Sequence, residues 1–257
     1  MHTASVGFHC PECTRSGRQQ VLTARTILAG SRPIVTQVLI GLNVAVFVLG
    51  LGMGAAPEAS RRGLTEDLGL IGRATLGDGV IGVDAGQWWR IFTSGFVHSG
   101  LIHLAFNMFL LWILGRGLEP ALGSVAFAVL YVTSLVAGSF GVLLVDPGLL
   151  TVGASGAVFG LMGVTIVWQR RQGIDPWDSG VAGLVLVNLA ITFLIPGISI
   201  GGHVGGLLGG LVAGALALEL SNRVASPAAP VVLGAVLGGA FFVGSLWAAA
   251  QWMDPVL

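Results

Sequence analysis

Four residues in this chain carry side chains suited to acyl chemistry, and their spacing groups them: Ser155, His203, His103 and Asn107. Ser155 lies in Gly153-Ala154-Ser155-Gly156-Ala157. This is not the G-x-S-x-G elbow of soluble hydrolases, because Ala157 occupies the last glycine position. A serine here stands at or just before a helix N-terminus, where unpaired backbone N–H groups and the helix dipole favour developing negative charge. An oxyanion formed when the serine attacks a carbonyl would meet donors already aimed at it. His203 opens a second glycine-rich run, with Gly206, Gly210 and Gly214 spaced by four. Such a stripe lets a neighbouring helix approach closely. If that neighbour carries Gly156, Gly160 and Gly163, His203 reaches Ser155. A Ser–His pair at hydrogen-bond distance is the minimum for an activated serine. His103 and Asn107 are four apart and share a helix face. Each feature alone has a plainer reading: a helix-capping serine, a packing histidine, a polar contact between helices. The conjunction on three segments is what points to chemistry. Asp146 falls in a loop and Glu119 at the far end of its helix, so the spacing predicts a dyad and not a triad.

The elements that must hold these residues are membrane helices. Of 257 residues, 54% are hydrophobic and only 9% are charged, and the net charge is zero. A soluble domain carries about a quarter charged residues, and a neutral chain has no basic field to attract a polyanion. Disorder, nucleic-acid binding and a soluble enzyme fold are therefore excluded. The 41 glycines suit helices packed closely in lipid. A span needs about 20 apolar residues, and seven are expected. The first covers 34–54, the second the later part of 91–115, and the third 121–145. The fourth falls within 147–169, two more divide 181–218 at Pro196-Gly197, and the seventh covers 229–253. The fold class is an all-α polytopic membrane protein. Residues 1–32 form a cytosolic segment without a cleavable signal, 33–220 a six-helix membrane domain, and 221–257 a linker and seventh helix.

All twelve basic residues are arginines. With the N-terminus inside, Arg15, Arg18, Arg25, Arg32, Arg116, Arg170, Arg171 and Arg223 are cytoplasmic, which places the C-terminus outside. The second, fourth and sixth helices then run inward from the outer face. His103, Asn107, Ser155 and His203 lie within a turn or two of those outer starts, at one depth. No Asp, Glu or Arg sits mid-span, unlike the relays of pumps and ion-coupled transporters.

Several stretches together resemble the rhomboid intramembrane serine proteases. Trp89-Arg90-Ile91-Phe92-Thr93, His98, His103, Asn107 and the run 115–123 with Glu119 are similar to that family's first loop and second helix. Gly153-Ala154-Ser155-Gly156 resembles its GxSG, and His203 with Gly206 and Gly210 its HxxGxxxG. The likeness covers about 87–220. It implies a six-helix core with Ser155 as nucleophile and His203 as general base. His103 and Asn107 would stabilise the oxyanion, joined by the backbone N–H of Ser155 and Ala154. His98 would support the mouth of the site, while Trp89 and Arg90 would hold the first loop at the interface. The implied activity is cleavage of transmembrane or juxtamembrane segments of membrane proteins, favouring helix-destabilised ones. The implied location is a bacterial cytoplasmic membrane. Two positions depart from the family pattern: Phe159 stands where tyrosine is usual, and Gly202 where alanine is common. The seventh helix receives no catalytic role. The competing readings are a catalytically inactive rhomboid-like binder of membrane helices and, further off, a transporter. Cys10 and Cys13 make half of a zinc site, with His2 or His9 nearby, but the expectation is no bound metal and no cofactor.

Overall fold

The computed structural model describes residues 2–3, 8–9, 32–54, 63–76, 79–226 and 228–251. The chain divides into two units, Met1–Arg32 and Pro33–Leu257. In the first, β1 (His2–Thr3) pairs antiparallel with β2 (Phe8–His9). Cys10 and Cys13 lie outside the described residues.

The second unit is built from helices. The apolar run beginning at Ile34 forms α1 (Ile34–Gly54), whose first-turn amides would otherwise lack partners. A carboxylate from a later helix supplies them. Glu119, 1% exposed, accepts the N–H of Val35 at 2.9 Å, the N–H of Thr36 at 2.8 Å and the Thr36 hydroxyl at 2.7 Å. Ser124 Oγ donates to the same carboxylate at 2.7 Å. A negative charge at a helix N-terminus is also favoured by the dipole.

Between α1 and the next long helix, the described residues 63–76 and 79–100 form local structure, not merely the polar stretch their composition suggested. They carry α2 (Gly63–Leu68), a hairpin of β3 (Ala74–Leu76) with β4 (Gly79–Ile81), α3 (Arg90–Thr93) and a 3₁₀ turn over Ser94–Phe96. Arg90 anchors this loop. Its buried guanidinium donates to the carbonyls of Glu66 at 2.6 Å and Gly69 at 2.7 Å, and to Gln87 Oε1 at 2.7 Å. Gln87 Oε1 in turn accepts the Gly82 N–H at 2.9 Å. Burial pulls the guanidinium below its ordinary pKa while Asp67 opposes that shift.

Six further helices complete the bundle: α4 (Leu101–Leu122), α5 (Ser124–Val145), α6 (Ser155–Arg171), α7 (Val181–Leu194), α8 (Ile200–Arg223) and α9 (Ala228–Gln251). Five helices, α1, α4, α5, α8 and α9, are long and apolar enough to cross a membrane. The other two of the seven expected spans are shorter. At 17 and 14 residues, α6 and α7 rise roughly 26 and 21 Å, against a hydrocarbon core of about 30 Å. The chain before α6 is instead irregular backbone, partly buried against the protein. α4 begins at Leu101, in the later part of 91–115 where the second span was expected, and residues 91–100 belong to the loop, where Ile91 is fully buried.

Packing centres on α8, which lies against α6 and α5; α9 covers α5, and α1 pairs with α4. The α6–α8 contact is backbone on backbone. A Cβ at Gly206 would overlap the Gly156 carbonyl, and one at Gly210 would overlap that of Gly160. On the other side of α8, Gly201 and Gly205 meet Gly141 of α5 in the same way.

Two predictions follow from this packing. Gly210→Ala should destabilise the protein by about 1–3 kcal/mol, the range for overpacking, because a backbone carbonyl cannot swing aside. Gly239→Ala, on a part of α9 with open space around it, should be neutral or slightly stabilising. Thermal unfolding in mild detergent would compare them. Arg90→Lys should lose about 2 kcal/mol or more, since an ammonium cannot reproduce the fork that serves three acceptors at once. Proteolytic nicking within residues 63–100 would report the loosened loop.

Candidate active site

The site is assembled where α6 and α8 begin. Gly153 adopts φ +123°, a conformation that residues with a Cβ rarely take, and a Cβ there would press into the His103 ring. Its N–H donates to the Ser94 carbonyl at 2.9 Å. Just upstream, Leu70 and Thr151 exchange two backbone hydrogen bonds of 2.9 and 2.8 Å. The first loop thus fixes the strand-like segment that delivers Ser155.

Ser155 is the first residue of α6, and the N-cap position is Ala154, which has no side-chain oxygen to offer. The helix start therefore has no side-chain cap, and its first amides lack intrahelical partners. The serine does not cap its own helix. Its Oγ lies 2.8 Å from His203 Nε2.

His203 sits in the first turn of α8, whose N-cap Ser199 accepts the Gly202 N–H at 3.1 Å. Phe159, one turn after Ser155, stacks on the imidazole with centroids 4.2 Å apart and planes 18° apart. Gly156 lets this approach happen. It lies against Gly138 of α5 and the Gly202 carbonyl of α8, so three backbones converge beside the Ser–His pair. The other ring nitrogen, Nδ1, is 2.6 Å from Thr192 Oγ1.

His103 and Asn107 line the same cavity from α4. His103 Nδ1 is 3.0 Å from Ser99 Oγ, and Asn107 Nδ2 donates to the His103 carbonyl at 3.0 Å. His98 meets His103 edge-on at 5.0 Å and accepts a long hydrogen bond, 3.5 Å, from the Ala154 N–H. Burial, with a smaller contribution from His103, pushes the His98 pKa down to about 4. Its ring is accordingly neutral near pH 7 and can act as an acceptor. The cavity measures about 900 Å³, and Ser155, His203, His103, Asn107, Phe159 and Thr192 are all on its wall.

Gly153 and Gly156 line it as well, and the other predicted residues lie outside that wall. Gly206 and Gly210 bring α8 onto α6, and Glu119 caps α1. Arg90 holds the loop, and Trp89 is partly exposed beside Trp88. Among the described residues no cluster of three His, Cys, Asp or Glu could hold a metal ion.

Two contributors escaped the sequence reading. Thr192 comes from α7, eleven residues before His203 and across the Pro196-Gly197 turn, with no motif to mark it. Phe242 of α9 packs against Trp88 and Phe92, with centroids 6.4 and 5.6 Å away. The seventh helix is therefore attached to the loop. The arrangement as a whole offers a hydroxyl on a base, uncapped amides and two further polar donors, which is a layout for acyl transfer.

Comparison with known proteins identifies the family. Residues 85–220 match the model of the Rhomboid domain. The chain is 30% identical over 188 residues to the Rhomboid protease GluP of Bacillus subtilis (strain 168), covering 72% of this chain and 35% of that protein. It is 40% identical over 85 residues to the Putative rhomboid protease YdcA of the same organism, covering 33% and 43%. RHOMBOID-like protein 4 of Arabidopsis thaliana is 29% identical over 184 residues, covering 63% and 46%. The matches thus span between about a third and a half of the length of these relatives. With the domain match reaching over half of its residues, on a bundle of apolar helices, the chain belongs to the rhomboid family of multi-pass membrane proteins.

Proposed function

We propose that this chain is an intramembrane serine endopeptidase that cleaves transmembrane or juxtamembrane segments of other membrane proteins. The observation that carries this reading is the 2.8 Å approach of His203 Nε2 to Ser155 Oγ at an uncapped helix start. In the proposed reaction Ser155 Oγ attacks the scissile carbonyl carbon as His203 Nε2 takes its proton. The carbonyl π electrons move onto oxygen, and the tetrahedral oxyanion is met by the Ser155 N–H, Asn107 Nδ2–H and His103 Nε2–H. His103 donates from Nε2 in the tautomer in which its Nδ1, 3.0 Å from Ser99 Oγ, accepts the serine proton. The Ala154 N–H points to His98 and is the weakest member of the set. As the C–N bond breaks, the imidazolium returns its proton to the leaving amine. Water then attacks the acyl-enzyme, giving up a proton to Nε2. The second tetrahedral intermediate collapses, re-forming the carbonyl and breaking the C–Oγ bond, as the imidazolium returns its proton to Ser155 Oγ and the acid product leaves.

The same reading assigns the substrate. A peptide bond inside a helix is shielded by its own hydrogen bonds, so segments that unwind readily are the ones attacked. The family relationship, the Ser–His pair and the named protease relatives support proteolysis over the binding-only alternative. The Bacillus subtilis relatives support a bacterial cytoplasmic membrane, and the distribution of arginines favours an N-terminus inside and the site near the outer face.

In proteoliposomes with a reporter transmembrane substrate, Ser155→Ala and His203→Ala should each reduce cleavage to background while the fold persists. Losses of roughly a millionfold accompany such changes in serine hydrolases. Retained turnover in either variant would refute the proposal. A fluorophosphonate should label the wild type at Ser155, and an inactive binder would stay unlabelled. Asn107→Ala should fall less, by about a hundredfold to a thousandfold in kcat, as expected for one oxyanion donor.

A further inference from the structure

The Ser155–His203 contact works as a nucleophile and base only if Nε2 carries a lone pair. An imidazole has two neutral tautomers, and which one forms is set by what the other nitrogen meets. No carboxylate approaches His203 among the described residues; the partner of Nδ1 is the Thr192 hydroxyl at 2.6 Å. A hydroxyl has one proton and two lone pairs, so its single donation decides the matter. Thr192 Oγ1 lies 2.7 Å from the Asn188 carbonyl, one turn earlier in α7, in the geometry of a threonine bonding back to its own helix. Its proton is committed to that carbonyl, which can only accept. Thr192 is 2% exposed, so its hydroxyl meets mainly protein groups.

We propose that Thr192 is a positioning residue: its hydroxyl oxygen accepts the Nδ1 proton of His203 and so holds the imidazole as the tautomer whose Nε2 faces Ser155 bare. The hydrogen-bond chain then runs in one direction, from Ser155 O–H to Nε2 and from Nδ1–H to Thr192, whose own O–H ends on the Asn188 carbonyl. Phe159 fixes the ring plane, but a stacked ring tolerates either tautomer, so Phe159 cannot make the choice. Thr192 makes it. A threonine oxygen is neutral and cannot offer the electrostatic support that a carboxylate gives an imidazolium. Its contribution is orientation and proton placement. The catalytic consequence rests on the serine protease reading; the tautomer does not.

The test uses the full chain in micelles with ¹⁵N-labelled histidine, and His203→Ala to identify the His203 signals. Long-range ¹H–¹⁵N correlation spectra of the wild type should show His203 with a protonated Nδ1 and a bare Nε2. Thr192→Ser, which keeps the hydroxyl, should preserve that pattern and label with fluorophosphonate within about threefold of the wild-type rate. Thr192→Val removes the acceptor at nearly constant shape. It should shift His203 toward the opposite tautomer and slow labelling at least about tenfold, the scale set by leaving one buried donor unpaired. In reporter cleavage the loss should fall on kcat with KM little changed. A wild-type His203 protonated at Nε2 would overturn the proposal without any variant, and so would an unchanged tautomer and labelling rate in Thr192→Val. Should the tautomer depend on Thr192 while the wild type neither labels nor cleaves, the positioning role stands and the protease reading fails.

Discussion

The structure depends on backbone touching backbone between α6 and α8. At Gly156 against Gly206, and at Gly160 against Gly210, there is no room for a methyl group. Each glycine normally weakens a helix by roughly 1 kcal/mol relative to alanine. Here that intrinsic cost is offset by dispersion contacts along two smooth surfaces, which is the main source of helix association in lipid. The same contact sets the distance between the two helix starts. Ser155 and His203 reach one another because neither helix can sit farther away without opening a seam several residues long.

Around this seam, polar groups are placed where a protein interior can satisfy them. Glu119 caps α1 from α4, and Arg90 gathers carbonyls of the first loop. Each is charged and buried, and each is matched to several partners, as burial of charge requires. The loop joins the site through Ser94 and Leu70, and joins α9 through Trp88 and Phe92. The seventh helix lies outside the matched Rhomboid domain. It nonetheless packs onto the loop that steadies the segment leading to Ser155.

Much of this was readable from residue types alone. A serine among small residues and a histidine heading a four-residue glycine repeat imply a close crossing, and the close crossing implies that the two side chains meet. The membrane character followed from missing charge, and α1 from an uninterrupted apolar run. What could not be read has physical reasons. The shortness of α6 and α7 has no mark in composition, because the apolar runs that contain them continue into irregular backbone. Thr192 was invisible because a threonine bonding to its own helix is commonplace. Only the turn at Pro196-Gly197, which folds α7 back beside the start of α8, gives its second lone pair a purpose. Glu119 was recognisable as part of a family pattern, but its task of capping α1 lies in a contact spanning more than eighty residues.

The lightly packed α7 gives the Thr192 contact a thermodynamic meaning. This helix touches α6 and α8 over only a small area, yet it holds the atom against Nδ1 of His203. Two equilibria are therefore joined: how firmly α7 is seated, and which way the imidazole is protonated. Linkage is reciprocal. Whatever free energy the His203 tautomer gains from a seated α7, the seating of α7 gains from that tautomer. A change in the protonation of one ring is thereby felt as a change in the docking of an entire helix.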